Sequence, residues 1–314
     1  MSTETLRIGS RTVVLTHADK VLFPGPPPLT KLDLAEYYGR VAETMLPHLA
    51  GRPVSMQRFP DGIGHEGFFQ KEIGPYFPQW AARVAVPKEG GTVTQLLCEE
   101  AATLVYLADL ACITPHVWLS RADRPRHPDR LIFDLDPPDD GFERVRAAAA
   151  LVRALLHDLG LTSYVMTTGS RGVHVVAPLD RMAEFDAVRA FARDAAGLLA
   201  HRHPGDLTVE ARIDKRGRRL FLDTARNAYA QTGVAPYAVR ARPGAPVATP
   251  LEWDELEERG LDARRYRMSN LFERLDRRGD AWREIGRHAQ SLTEPRARLR
   301  DLMRAAGVAA GHRG

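Results

Sequence analysis

The chain has 314 residues, 44% hydrophobic and 27% charged, with a formal net charge of +4 at pH 7. That is enough for one large core or two medium ones, and the balance excludes a disordered or fibrous chain. A charge so close to neutrality leaves any polyanionic partner to be argued from local basic patches.

Taken in chain order, TVVLTH (12–17) reads as a short strand, and the proline-rich loop FPGPPPLT (23–30) ends at Thr30. Thr30 can cap a helix from 31 to about 48 with Leu34, Tyr37, Tyr38, Val41 and Met45 on one face. RPVSMQRF (52–59) alternates like a strand, PDGIGHEG (60–67) is a glycine-rich loop, and FFQK (68–71) follows it. TVTQLLC (92–98) predicts a strand and EEAATLVYLADLA (99–111) a helix. After ITPHVWLS (113–120) come a basic loop, RADRPRHPDR (121–130), and LIFDLDPPDD (131–140). An alanine-rich amphipathic helix at 142–159 stops at Gly160. SYVMTT and VHVVAPL are strands joined by GSRG, and a helix spans roughly 185–201. LTVEARIDKRGRRLFLD (207–223) predicts a β-hairpin turning at 215–218, and the charged tail from 251 reads as mostly helical. Helices interleaved with strands and hairpins predict an α/β (α+β) fold with mixed or antiparallel sheets.

Five lysines (20, 31, 71, 88 and 215) stand against 39 arginines. A lysine that persists against such a bias is a candidate for a site that uses a compact ammonium donor. Cys98 and Cys112 lie in apolar stretches and form neither a disulfide framework nor a zinc site. The first residues hold no apolar h-region and no run approaches eighteen apolar residues, so the expectation is a cytoplasmic protein without a membrane partner.

The acids of LIFDLDPPDD carry the chemistry. Residues two apart on a strand share a face, about 6.6–6.8 Å apart, so Asp134 and Asp136 project together at a strand end that Pro137 and Pro138 terminate. Burying two carboxylates costs several kcal/mol without compensation, most simply by a hard divalent cation such as Mg²⁺ or Mn²⁺. Asp223 ends RLFLD with the same apolar-then-acid pattern, while Asp214 and Glu210 fall on its predicted hairpin partner. Helix capping or pairing with arginine would equally account for the two acids. TTGSRGVHVV (167–176) places Gly169, Ser170, Arg171 and Gly172 in a tight turn that can aim N–H groups and an arginine fork at phosphate, with His174 on the returning strand. A plain hairpin with a core histidine is the competing reading. In FPDGIGHEGFFQK, Phe68 and Phe69 are candidates to cap a base, with Lys71 on a phosphate, or else core residues at a strand start.

Together and in order, these motifs resemble the polymerase domain of bacterial ATP-dependent DNA ligase D, within the archaeo-eukaryotic primase superfamily. THADKVLFPG, GRPVS, GFFQK, ITPHVW, FDLDPP, GSRGVHV, FLDTARN and QTGVAPYAVRARPGAPVATPLEWDEL follow one another from about 11 to 300. The resemblance implies a primase-like catalytic core of two packed sheet modules, about 1–120 and 121–300, with an RRM-like C-terminal module and a tail at 301–314. It implies a nucleotidyltransferase that copies a template at broken DNA ends and short gaps in non-homologous end joining, prefers ribonucleotides and uses two divalent ions, Mn²⁺ or Mg²⁺. Its acidic triad falls on Asp134, Asp136 and Asp223. Ser170, Arg171, Gly172 and His174 would surround the nucleotide phosphates; Phe68, Phe69, Lys71 and His116 would contact nucleotide or template; Gln231 and Arg240 are further contacts. Lys20 and Lys31 would hold the 5′-phosphate of the downstream strand. The implied partners are 5′-phosphorylated DNA ends or gaps, NTP or dNTP, Ku and an ATP-dependent DNA ligase, in a nucleoid-associated setting.

Gln57 stands where many relatives carry a basic residue, which puts a phosphate contact there in doubt, and Thr-Ala follows Asp223 where relatives often have Tyr-Leu. The 314 residues hold only this domain, without ligase or nuclease modules, as in a free-standing relative or an excised domain. Two rival readings remain: a haloacid dehalogenase-type phosphohydrolase, whose nucleophile motif LIFDLDPP resembles, and a non-catalytic binder of 5′-phosphorylated DNA ends.

Overall fold

The β-branched and apolar runs at 53–58, 112–118, 130–136 and 173–178 become the central strands of two separate sheets. The computed structural model describes residues 2–88, 90–139 and 141–309, and the chain divides into two units.

The first unit comprises Met1–Asp123, Thr232–Thr249 and Tyr266–Arg277. Its sheet runs in the order Thr232–Val234, Cys112–Trp118, Pro53–Arg58, Gly91–Leu97, Arg83–Lys88, all antiparallel, and Phe68–Gln70 pairs with the far half of Pro53–Arg58. The helix Lys31–Leu49 begins at a capping box, in which the Thr30 side chain accepts from the Asp33 N–H and Asp33 accepts from the Thr30 N–H. Its predicted apolar face is the buried one, with Leu34, Tyr38, Val41 and Met45 fully inaccessible. The Tyr38 hydroxyl donates to Ile113 O at 2.6 Å, which fixes the helix on the sheet and satisfies a buried polar tip. The helix Ala101–Asp109 packs against it. Cys98 and Cys112 are free and fully buried.

The second unit comprises Arg124–Gln231, Pro250–Arg265 and Arg278–Gly314. Its sheet order is Leu207–Thr208, Leu220–Asp223, Arg130–Asp136, Val173–Pro178, Tyr164–Thr167, Thr249–Leu251. Every residue of Val173–Pro178 is buried, as expected of a strand covered on both faces. The helices Phe142–Asp158 and Phe185–Arg202 pack against the Arg130–Asp136 strand.

The hairpin predicted at 207–223 does not form. Leu207–Thr208 pairs parallel to Leu220–Asp223, and the intervening chain holds a single helical turn, Ile213–Arg216. Arginine side chains compete for the backbone that a hairpin would use. Arg216 donates to Glu210 O and Ala211 O, Arg219 donates to Arg216 O and Lys215 O, and the Arg216 guanidinium lies 3.9 Å from the Phe221 ring centre. The tail is less helical than predicted: beyond Leu271–Arg278 and Thr293–Ala305 it holds short 3₁₀ turns. Among the described residues no helix is long and apolar enough to cross a membrane.

Candidate active site

Residues directly opposite one another in an antiparallel ladder share a face. Asp134 pairs with Asp223 on one side and with His174 on the other, and Asp136 pairs with Phe221. The three carboxylates therefore converge, and one oxygen from each lies within 4.8 Å of the others. His174 Nε2 stands 3.4 Å and Arg226 Nε 3.6 Å from Asp134 Oδ2. These two neighbours do not offset the three carboxylates. The Asp136 carboxyl is pushed up to about 6, first by burial and then by Asp134 and Asp223, against the opposing pull of Arg171 and His174. A donor set of three clustered carboxylate oxygens, one of them made hard to ionise by its neighbours, fits a hard divalent cation. Asp139 accepts from the Gly141 N–H and from Arg144 as an ordinary loop acid, and Asp140 lies outside the described residues.

The turn after Tyr164–Thr167 is built around glycine. The Thr168 N–H and hydroxyl both donate to Gly172 O at 3.0 Å, and Gly169 sits at φ 65°. A Cβ on Gly172 would lie 1.9 Å from Leu135 O, so only glycine lets the turn press on the strand that carries the acids. Ser170 and Arg171 border a cavity of about 170 Å³ with Phe142, Asp262, Ala263 and Arg264. His174 is buried, and its Nδ1 has no hydrogen-bond partner among the described residues.

Three residues of this site escaped the reading of the sequence. Arg226 and Asn227 follow Asp223 on a 3₁₀ turn, Ala225–Asn227. The Asn227 amide accepts from Ile132 N–H at 2.9 Å and donates to Ile132 O at 2.7 Å, clamping the acid-bearing strand. The motif FLDTARN held that signal, because a buried amide in such a turn has to find backbone partners. Arg264 Nε donates to Ser170 O at 2.6 Å across 94 residues, and nothing local announces it.

The first unit holds the remaining candidates, and each unit is described by itself. Phe68 and Phe69 lie on opposite faces of their strand. Phe69 meets His116 edge-on at 5.2 Å, whereas Phe68 has the Arg58 guanidinium 5.4 Å from its ring centre. Lys71 is exposed and makes no ion pair among the described residues. Lys20 Nζ pairs with Asp61 at 2.9 Å. Lys31 is buried, donates to Asp109 O at 2.7 Å, and lies 3.4 Å from Asp109 Oδ1. Burial pulls the Lys31 ammonium down, Asp109 opposes this, and Lys20 and Arg58 add to the lowering. Arg58, the neighbour of Gln57, thus supplies a cation to this lysine cluster. Arg240 is half-buried in the first unit, and Gln231 is an exposed residue at the end of a segment of the second.

A mixed α/β fold in which an antiparallel ladder brings three carboxylates together beside a serine–arginine–glycine turn defines a nucleotidyltransferase of the polymerase type. The chain belongs to the LigD primase-polymerase domain family, whose model matches residues 30–282. It is similar to the multifunctional non-homologous end joining DNA repair protein LigD of Mycobacterium tuberculosis (strain ATCC 25618 / H37Rv), 35% identical over 281 residues, 84% of this chain and 37% of that protein. It is 32% identical over 298 residues to the multifunctional non-homologous end joining protein LigD of Pseudomonas aeruginosa, 91% of this chain and 34% of that protein. Among solved structures, the polymerase domain from Mycobacterium tuberculosis Ligase D in complex with DNA matches with a TM-score of 0.82 at 34% identity, over 88% of this chain and 99% of that one. The chain spans little more than a third of the length of these curated relatives. The expected primase-like α/β core is borne out, and the phosphohydrolase reading is set aside.

Proposed function

We propose that this chain extends primer 3′ ends at DNA breaks and short gaps under template direction, with ribonucleotides preferred, as the polymerase component of non-homologous end joining. The observation that carries this reading is the convergence of Asp134, Asp136 and Asp223 within 4.8 Å, together with the raised Asp136 carboxyl. The names of the similar proteins support the pathway, and a DNA complex of a relative supports the substrate.

Asp134, Asp136 and Asp223 would hold two divalent cations, Mn²⁺ or Mg²⁺, which when bound neutralise triphosphate charge and acidify the primer hydroxyl. Arg171, already felt by Asp136, would take a phosphate oxygen next to the carboxylates. His174 Nδ1 offers a buried polar atom for the nucleotide. Arg226 beside Asp134 holds that carboxylate in place. Phe69 against His116 would orient a base, and Lys20 with Arg58 would receive a 5′-phosphate while buried Lys31 raises the local potential. Ku and an ATP-dependent ligase are the proposed protein partners, in the cytoplasm at the nucleoid.

The test is a primed, gapped duplex incubated with each NTP and dNTP and Mn²⁺. Wild-type protein extends the primer, NTPs first; Asp134→Ala reduces extension at least about 10³-fold while still binding the duplex. Substantial extension by Asp134→Ala would remove the triad from the chemistry.

A further inference from the structure

The exposed large apolar side chains include three aromatic rings, Phe68, Phe69 and Tyr76, at 48%, 54% and 55% exposure. The function proposed above uses Phe69, the family resemblance gives Phe68 a nucleotide or template contact, and Tyr76 is left without a task. Tyr76 is built into place. Its ring rests on Gly74, where a Cβ would fall 2.5 Å from a ring carbon. Its hydroxyl accepts from Gln70 Nε2 at 2.8 Å, and its neighbour Phe77 is buried with the two ring centres 5.0 Å apart. Gln70 is fixed in turn, because its Oε1 accepts from Arg58 Nη1 at 2.7 Å and its amide also donates to Glu72 O at 2.8 Å. Gln70 lies two residues from Phe68 on one strand and so shares its face, the face opposite Phe69. Arg58 sits against Phe68 and belongs to the cationic cluster around Lys31. A hydrogen-bonded chain thus runs from Arg58, whose charge Lys31 feels, through Gln70 to a solvent-facing ring held by its hydroxyl. An aromatic held this way binds at low entropic cost, and it suits any flat base because every base has a π-face.

We propose that Tyr76 is a base-stacking station for an unpaired nucleotide of the bound nucleic acid, on the Phe68–Gln70 face and separate from the Phe69–His116 contact. This rests on the DNA-gap reading given above. Stacking on the ring tolerates every base, because each base presents a π-face.

The experiment places 2-aminopurine at successive positions of the single-stranded template segment of a gapped duplex and follows its emission together with the dissociation constant at several salt concentrations. Wild-type protein alters the emission at one position that responds to Tyr76. Tyr76→Leu abolishes that response and weakens binding about 5- to 100-fold, while the slope of log affinity against log salt stays the same. Tyr76→Phe keeps the response, since the ring remains. Gly74→Ala, whose new Cβ displaces the ring, behaves like Tyr76→Leu. Tyr76→Phe and Gly74→Ala keep the test decisive should Tyr76→Leu misfold, which circular dichroism reports. A changed salt slope would indicate a lost phosphate contact and overturn the assignment. Wild-type protein that binds and extends the duplex, with Tyr76→Leu and Gly74→Ala its equals, overturns this inference alone; wild-type protein that binds no gapped duplex overturns both readings.

Discussion

Without a cation, Asp136 carries three burdens at once: burial, Asp134 and Asp223. Its folded pKa of about 6 lies above the ordinary 3.8, so the folded state holds this proton more tightly than the unfolded one. The associated stability is present in full below about 3.8 and is lost as pH rises through about 6. Metal-free Asp136→Asn is therefore expected to melt above wild type at pH 7, with the gap closing as pH falls toward 4. Thermal melts across that range with a chelator check it, and Mn²⁺ should raise the wild-type midpoint far more than that of the variant. Arg264 acts through another residue, as it touches the Ser170 carbonyl rather than a substrate. Arg264→Ala is expected to raise KM for the nucleotide about tenfold with a smaller fall in kcat, as for loss of one charge-assisted hydrogen bond. Arg264→Lys should restore part of it, and steady-state kinetics with both variants separates positioning from mere destabilisation.

The acid-bearing strand and its neighbours behave as one element held by three devices: the Asp134 ladder pairs, the Gly172 approach to Leu135 O, and the Asn227 clamp on Ile132. Asn227→Ala leaves both backbone groups of Ile132 without these partners in a fully buried place, at a cost of about 2–4 kcal/mol. Urea unfolding is expected to show that loss, with weaker Mn²⁺ binding in the fraction that remains folded. What could be read from sequence here follows the reach of each interaction. Asp134 and Asp136 share a face by strand geometry alone, so that pair was visible as spacing; Asp223 repeats their apolar-then-acid pattern but stood beside Asp214 and Glu210, and only the family resemblance singled it out. Asn227 and Arg226 were visible only as a motif, because their partners lie 95 and 92 residues away. The false hairpin at 207–223 has the opposite cause. Its strand-like composition was real, but Arg216 and Arg219 capture the backbone carbonyls of the turn, a competition that propensity does not register.

At the scale of the whole molecule, the chain leaves the first unit at Asp123 and returns to it twice, with Thr232–Thr249 and Tyr266–Arg277. The first return supplies the edge strand Thr232–Val234, which pairs with Cys112–Trp118, and the Tyr237 carbonyl that accepts from Tyr37 at 2.8 Å. A fragment ending at residue 231 therefore lacks part of the first unit's sheet and core. It is expected to show no cooperative unfolding transition, whereas the chain through residue 309 unfolds cooperatively; denaturant titration followed by tryptophan fluorescence compares them. This interleaving is invisible to composition, since the returning segments look like any loop with short apolar runs.

The two cysteines have a consequence for chemistry that the protein has to survive. Both thiols are fully buried, and burial pushes Cys98 well up and Cys112 to about 12, so the thiolate that oxidants and electrophiles attack is essentially absent at neutral pH. At the DNA breaks where the proposed function would place this chain, an exposed, acidic thiol would be open to oxidation. Sealed within the first unit, these sulfurs leave the described part of the chain without an oxidant-sensitive cysteine.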